Sequence, residues 1–229
     1  MTLEVLVKHG LEGAVNDDFS CLWIPSNQSY VPCDHTVPGD FSSAAFLLAA
    51  AAVTSSRVTV KNLDYQTCQG DSAILGILEE MEATVKIGDN SVDVEGGQLV
   101  GIDIDAKDIP DLVPVCAVLG CYAEGRSLIY NAKRLRYKES DRLDSISTEL
   151  KKMGADIIVN EDGLTINGGS RLQGATVDPH NDHRIAMACA VAALGAEGKT
   201  KIQNVECINK SYPQFFSDLR LLGANVVGI

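Results

Sequence analysis

An acidic residue leading into a small, apolar run recurs three times in this chain at a fixed interval. Asp40 precedes FSSAAFLLAAA, Asp111 precedes LVPVCAVLGCYAEG and Asp182 precedes HRIAMACAVAALGAEG, each acid 71 residues from the next. Behind each run comes a short segment ending in asparagine, at Asn62, Asn131 and Asn204, then a polar linker and a second helical pattern closing on EEMEATV, KKMGADI or LLGANVV. So regular a repeat restricts the chain to one supersecondary unit used three times, because such a unit buries its apolar face only against its neighbours. The expected unit is βαβαββ, with copies at about 37–100, 101–174 and 175–229 around a pseudo-threefold axis. The runs from Ala44, Val115 and Ala186 are apolar nearly all round, as buried helices are. The alternating VTVKN and SLIYN segments read as strands with one exposed face. The expected fold class is therefore α/β, an inside-out, barrel-like lobe with buried helices and outer sheets.

Residues 1–36 lie outside the repeat. They read as the end of an amphipathic helix (Leu3, Leu6, Val7), a stop at Gly10, a strand around Ser20 to Ile24, and a connector from Pro25 to Thr36. This stretch looks like the tail of a further copy, so the chain is expected to be part of a longer protein. The longest apolar stretch, Ala44 to Val53, is about half a bilayer span, and no signal peptide opens the sequence, which points to the cytoplasm. Seven cysteines without CxxC spacing, mostly beside apolar neighbours, suggest buried free thiols rather than disulfides or a zinc site.

A formal net charge of −12 argues against nucleic acid or anionic membrane as a partner, since the long-range field repels polyanions. Any anion has to be captured locally. Lys133, Arg134, Arg136, Lys138 and Arg142 crowd into ten residues, either as a solvated turn balanced by acids or as the wall of an anion site. Ser140 or Asp141 suits the N-cap of the following helix, whose amides and positive dipole end would add to such a site. Glu139, among these cations, is either a charge-balancing partner or an acid/base group. Asp111, in a Pro-flanked turn, is either a helix cap or a general base. Asp182 is a good N-cap that leaves His183 and Arg184 to project, and Lys210 repeats the position of Lys138 one copy on. The grouping Asp178, His180, Asp182 and His183 gives little reason to invoke a metal, because capping already accounts for the acids.

The blocks GDFSSAAF, IPDLVPV, LRYKESDRL, NDHRIAMA and NKSYPQFF, in that order, resemble the C-terminal half of the 5-enolpyruvylshikimate-3-phosphate synthase (3-phosphoshikimate 1-carboxyvinyltransferase) family. The resemblance implies transfer of the enolpyruvyl group of phosphoenolpyruvate to the 5-hydroxyl of shikimate 3-phosphate, with release of phosphate and without cofactor or metal. It implies catalytic roles for Asp111, Lys138 and Glu139, and shikimate 3-phosphate binding by Asp111, Lys138 and Arg134. Arg134 stands where some members carry an asparagine. Phosphoenolpyruvate would be held by Arg142, His183, Arg184 and Lys210, with His183 orienting Glu139 or the substrate. A missing N-terminal lobe would supply the rest of the site, in a full-length enzyme expected to be monomeric. The related transferase acting on UDP-N-acetylglucosamine fits the Lys138-Glu139 pair less well. An RNA 3'-phosphate cyclase fits the acidic charge less well, and an isolated anion-binding module is the non-enzymatic alternative.

Overall fold

The computed structural model describes residues 1–169 and 171–228. Three helices form its centre: α2 (Phe41–Val53), α4 (Val113–Tyr122) and α6 (His183–Gly195) pack against one another pairwise. Nearly every residue of each is buried, including Phe46, Leu48, Val115, Leu119, Ile185 and Val191. Small side chains permit this close approach. The ring of Tyr122 on α4 lies so near Gly195 on α6 that a Cβ there would meet its ring carbon at 2.7 Å, and the Tyr122 hydroxyl donates to the Ala192 carbonyl at 2.5 Å.

Around this centre the sheets are unequal versions of one pattern. The middle copy has all four strands, β6 (Asp103–Asp105), β7 (Arg126–Tyr130), β8 (Asp156–Val159) and β9 (Leu164–Asn167), in the order β6-β7-β9-β8. β6 and β7 are parallel across the α4 crossover, whereas β7, β9 and β8 are antiparallel. The first copy keeps the antiparallel part, β3 (Arg57–Lys61), β5 (Ser91–Glu95) and β4 (Thr84–Gly88), with Val58 opposite Val94 and Val60 opposite Val92. The third keeps the parallel part, β10 (Thr176–Val177) beside β11 (Lys201–Ile202) across α6. The expected inside-out lobe is present, with the helices at the centre and the sheets outside them; among the described residues the strands form four separate sheets.

The second helices, α3 (Ile74–Glu80), α5 (Arg142–Lys152) and α7 (Phe215–Leu221), cover the core. On α5 Leu143, Ile146 and Leu150 make a fully buried stripe, worth about 2 kcal/mol per side chain as an upper estimate. The recurring asparagines have a backbone reason: Asn62, Asn131 and Asn204 have φ of 62°, 58° and 47°, the left-handed region that asparagine tolerates better than most residues.

At the start of the chain, α1 (Thr2–Lys8) buries no side chain, and β1 (Ala14–Val15) pairs with β2 (Leu22–Trp23) in a short hairpin. The strand expected over Ser20 to Ile24 thus shrinks to two residues, because no sheet lies beside it to extend the ladder. The cysteines also divide differently from expectation. Cys116, Cys121 and Cys189 are buried in the core helices, but Cys21, Cys33 and Cys68 are exposed. No helix among the described residues is long and apolar enough to cross a membrane.

Candidate active site

The N-terminal ends of the core helices converge, and the three repeated acids meet different fates there. Asp40 caps α2, accepting from the Ser42 and Ser43 amides, and Asp182 caps α6, accepting from the Arg184 amide at 2.9 Å. Asp111 caps nothing. It lies in a single turn of 3-10 helix, Pro110–Leu112, which already supplies the local backbone bonds and leaves the carboxylate free to point elsewhere. Asp111 Oδ1 accepts from Arg142 Nη1 at 2.7 Å and lies 3.4 Å from Lys138 Nζ, while Oδ2 accepts from Arg184 Nη2 at 3.2 Å. The capping alternative for Asp111 is thereby removed.

Arg142 joins the cluster. Only 1% of its side chain is exposed, and its fork reaches three carboxylates: Nε donates to Asp182 Oδ2 at 2.8 Å, Nη1 to Asp111, and Nη2 to Glu139 Oε2 at 2.8 Å. The sequence placed Arg142 among groups contacting an anion directly, yet here every nitrogen is committed to protein. Its location at the first residue of α5, capped by Asp141 through the Asp144 amide, carries it inward from the turn that bears Lys138 and Glu139. Lys210, from the third copy, completes the ring by donating to Glu139 Oε1 at 3.0 Å, and Ser140 donates to Asp182 Oδ2 at 3.1 Å.

Asp111, Glu139 and Asp182 thus face Lys138, Arg142, Arg184 and Lys210, with one positive charge in excess among these ion-paired side chains. Helix N-termini of α4, α5 and α6 add to this bias toward anions. Burial alone would raise the Glu139 carboxyl. Its own backbone amide, the Lys210 ammonium and the Arg142 charge outweigh that and hold it at about 2. Burial likewise opposes ionisation of Asp111, but Arg184, Arg142 and Lys138 draw it below its ordinary value. Both acids are carboxylates at neutral pH and able to receive a proton. His183 is driven below its usual value by burial, reinforced by Arg184 and Arg142, so its ring is neutral. Its Nδ1 is buried without a hydrogen-bond partner, and no hydrogen bond joins it to Glu139.

The cationic run therefore splits. Lys138 and Arg142 enter the cluster, whereas Lys133 pairs with Glu161 and Arg136 with Asp141 and the carbonyls of Asn160 and Glu161. Arg134 is exposed and makes no ion pair or side-chain hydrogen bond among the described residues. Among the described residues Asp178, His180, Asp182 and His183 do not converge on one point: His180 bonds to Glu149, and Asp182 is taken up by Arg142 and Ser140.

Two acids that the sequence did not single out shape the site. Glu149 on α5, fully buried, accepts from Lys152, the Asp178 amide and His180 Nε2, and so ties down the turn leading to Asp182. Within that turn His180 and Asn181 have φ of 54° and 57°, two successive left-handed residues that need such support. Asp71 stands 71 residues before Arg142 and accepts from the Ser42 hydroxyl; burial raises its carboxyl, against the pull of Ser42 and Arg184. Only the repeat interval could have flagged Asp71, and nothing in the sequence marks Glu149.

Residues 1–219 match the family model described as EPSP synthase (3-phosphoshikimate 1-carboxyvinyltransferase). A relative from Methanocella arvoryzae named 3-phosphoshikimate 1-carboxyvinyltransferase is 54% identical over 228 residues, covering 99% of this chain and 53% of that protein. One of the same name from Methanocaldococcus jannaschii is 46% identical over 227 residues, covering 99% of this chain and 52% of its own length. A solved structure of EPSP synthase from Acinetobacter baumannii superposes with a TM-score of 0.86 at 26% identity, over 96% of this chain and 53% of that one. The chain spans about half the length of the curated relatives it matches. With the shared fold and these matches together, the chain belongs to the EPSP synthase (3-phosphoshikimate 1-carboxyvinyltransferase) family.

Proposed function

We propose that this chain supplies one wall of a site that transfers the enolpyruvyl group of phosphoenolpyruvate to the 5-hydroxyl of shikimate 3-phosphate, releasing phosphate. A complementary lobe supplies the other wall. The carrying observation is the uncapped Asp111, held by Arg142 in one ion-pair network with Glu139, Lys138 and Lys210. Family membership supports the reaction, and the excess positive charge supports two anionic substrates.

In this reading Asp111 takes the proton of the attacking hydroxyl and Lys138 lies beside the same oxygen. Glu139, once it has taken a proton from solvent, delivers it to the methylene carbon of phosphoenolpyruvate, which makes the neighbouring carbon electrophilic, and takes one back from the resulting methyl group as phosphate leaves. Arg184 and Lys210 neutralise carboxylate and phosphate as charge gathers on the departing group. Arg142 acts from beneath by fixing both carboxylates, and neutral His183 offers its unpartnered Nδ1. Binding is an exchange. A phosphate or carboxylate that draws Lys210 away removes one of the contacts that depress Glu139, so the carboxyl becomes a better proton carrier when substrate is present.

The test is phosphate release from phosphoenolpyruvate and shikimate 3-phosphate with the chain alone and with the complementary lobe added. Activity on mixing is expected. In the mixed enzyme Lys138→Ala and Glu139→Ala should each lower turnover at least about 10-fold while leaving the far-ultraviolet circular dichroism unchanged. A folded, associating pair with no turnover would reject the reading in favour of an anion-binding module.

A further inference from the structure

We propose that His9, Cys33 and His35 form a binding site for a borderline transition-metal ion, with Zn²⁺ the best match, that fastens the end of α1 to the connector. This goes beyond the transferase reading and uses none of its residues. One ligand atom from each of these three side chains, a ring nitrogen or Sγ, lies within 4.8 Å of the other two, the one such grouping of His, Cys, Asp and Glu among the described residues. Cys33 Sγ is 3.8 Å from His9 Nδ1, 3.9 Å from His9 Nε2 and 3.9 Å from His35 Nδ1. Zinc–sulfur bonds near 2.3 Å and zinc–nitrogen bonds near 2.0 Å at the tetrahedral angle put sulfur and nitrogen roughly 3.5 Å apart. The observed sulfur–nitrogen separations of 3.8 to 3.9 Å exceed that spacing by only a few tenths of an ångström.

The surrounding backbone prepares the ligands. His9 sits just past the end of α1, where its carbonyl accepts from the Val31 amide at 2.8 Å and its Nδ1 lies 3.1 Å from the Val31 carbonyl. An Nδ1–H donated to that carbonyl fixes the tautomer and leaves the Nε2 lone pair for a metal, the arrangement by which outer hydrogen bonds orient ligating histidines. Cys33 and His35 are two apart in a connector without helix, a spacing that lets both side chains face one side. The His35 ring meets the His9 ring edge-on at 5.3 Å. One thiolate and two imidazoles select zinc and its neighbours over magnesium or calcium, which take oxygen ligands. Binding replaces the Cys33 S–H bond with a sulfur–metal bond and releases one proton to solvent. The fourth position remains for water or another protein group.

Such a clip has a structural purpose here, because α1 buries no side chain and the hairpin beside it has four residues in its ladder. Small segments that bury little apolar surface depend on cross-links or metals for order.

The test is titration of the whole chain, reduced and freed of metal by chelation, with Co²⁺. The expected result is a thiolate-to-cobalt charge-transfer band with visible bands of tetrahedral intensity, saturating at one ion per chain and erased by one equivalent of Zn²⁺. Cys33→Ser should abolish the charge-transfer band, and His9→Ala or His35→Ala the tetrahedral visible bands. Cys21→Ser and Cys68→Ser, which remove the other exposed thiols, should keep both. Limited proteolysis supplies a second readout: Zn²⁺ should slow cleavage within residues 1–36 of the wild type but not of Cys33→Ser. Absence of the bands, their survival in Cys33→Ser, or their loss in Cys68→Ser would overturn the proposal.

Discussion

The first and middle copies share helices, turns and strand order, but they spend their polar residues in opposite ways. In the first, Asp40 closes the start of α2, Gln69 bonds the Phe41 amide and the Gly39 carbonyl, and Asp71 holds Ser42. Both acids at the start of α2, Asp40 and Asp71, are answered by neutral donors. In the middle copy the same stretch carries Lys138, Glu139 and Arg142, the start of α4 is closed by a 3-10 turn, and Asp111 is left to pair with cations from two copies. A polar group satisfied by its own backbone stabilises; one satisfied by a mobile countercharge can exchange that partner for a ligand. In the middle copy Asp111 and Glu139 are not consumed in capping, which supports the chemical role proposed for them.

The sharpest way to break this contrast is to remove the buried cation. Arg142→Met should destabilise the chain by about 3–5 kcal/mol in denaturant melts, since Asp182 is buried and loses its counter-ion. Arg57→Met, which breaks the exposed pair with Asp93 in the first copy, should stay within about 1 kcal/mol. Equal losses would mean that burial is not what separates the copies.

Acidity should act on the two copies with opposite sign. Glu139 is depressed from 4.5 to about 2, so its contribution is fully present above pH 4.5 and disappears as the pH falls through about 2. Asp71 is raised from 3.8, so its contribution is complete below pH 3.8 and is lost as the pH climbs through its folded value. Thermal melts at neutral pH should therefore rise with Asp71→Asn and fall with Glu139→Gln; the same sign for both would contradict the assigned environments.

Smaller effects test the backbone side. Asp40→Ala should cost about 1 kcal/mol as a lost cap, whereas Asp111→Ala loses no helix-capping bond. Smallest of all is the residue after the second helix: Gly154 and Gly223 have φ of 94° and 102°, but the first copy places Glu82 there at 68°. Glu82→Gly should raise the melting free energy by up to about 1 kcal/mol by relieving that left-handed strain. A loss would show that the glutamate makes a compensating contact.

Periodicity made the core helices legible, because a run that is apolar on every side has only the interior to occupy. The strand-ending asparagines were visible too, although their positive φ was not stated by the pattern. Asp111 resisted because a Pro-flanked acid before a helix looks the same whether it caps or not, and only the 3-10 turn decides. Glu149 was hidden for a different reason: its partners at Asp178 and His180 lie about thirty residues away, joined by tertiary packing that no local spacing encodes. The same holds for His9 with Cys33 and His35. The inside-out arrangement was legible, but the unequal strand numbers of the copies were not, because short edges such as β10 and β11 leave little signal in a sequence.

The contact of Gly195 with the ring of Tyr122 has a consequence for how this lobe tolerates change. Helices packed through such small residues have almost no slack, so an added methyl in the middle of the bundle is transmitted along rigid rods to their starting ends, where Asp111 and Asp182 sit. A library of conservative core enlargements should therefore contain many variants that fold and few that keep the charged network in register. Selection on activity would then read as a demand for alanine and glycine at positions that never touch a substrate.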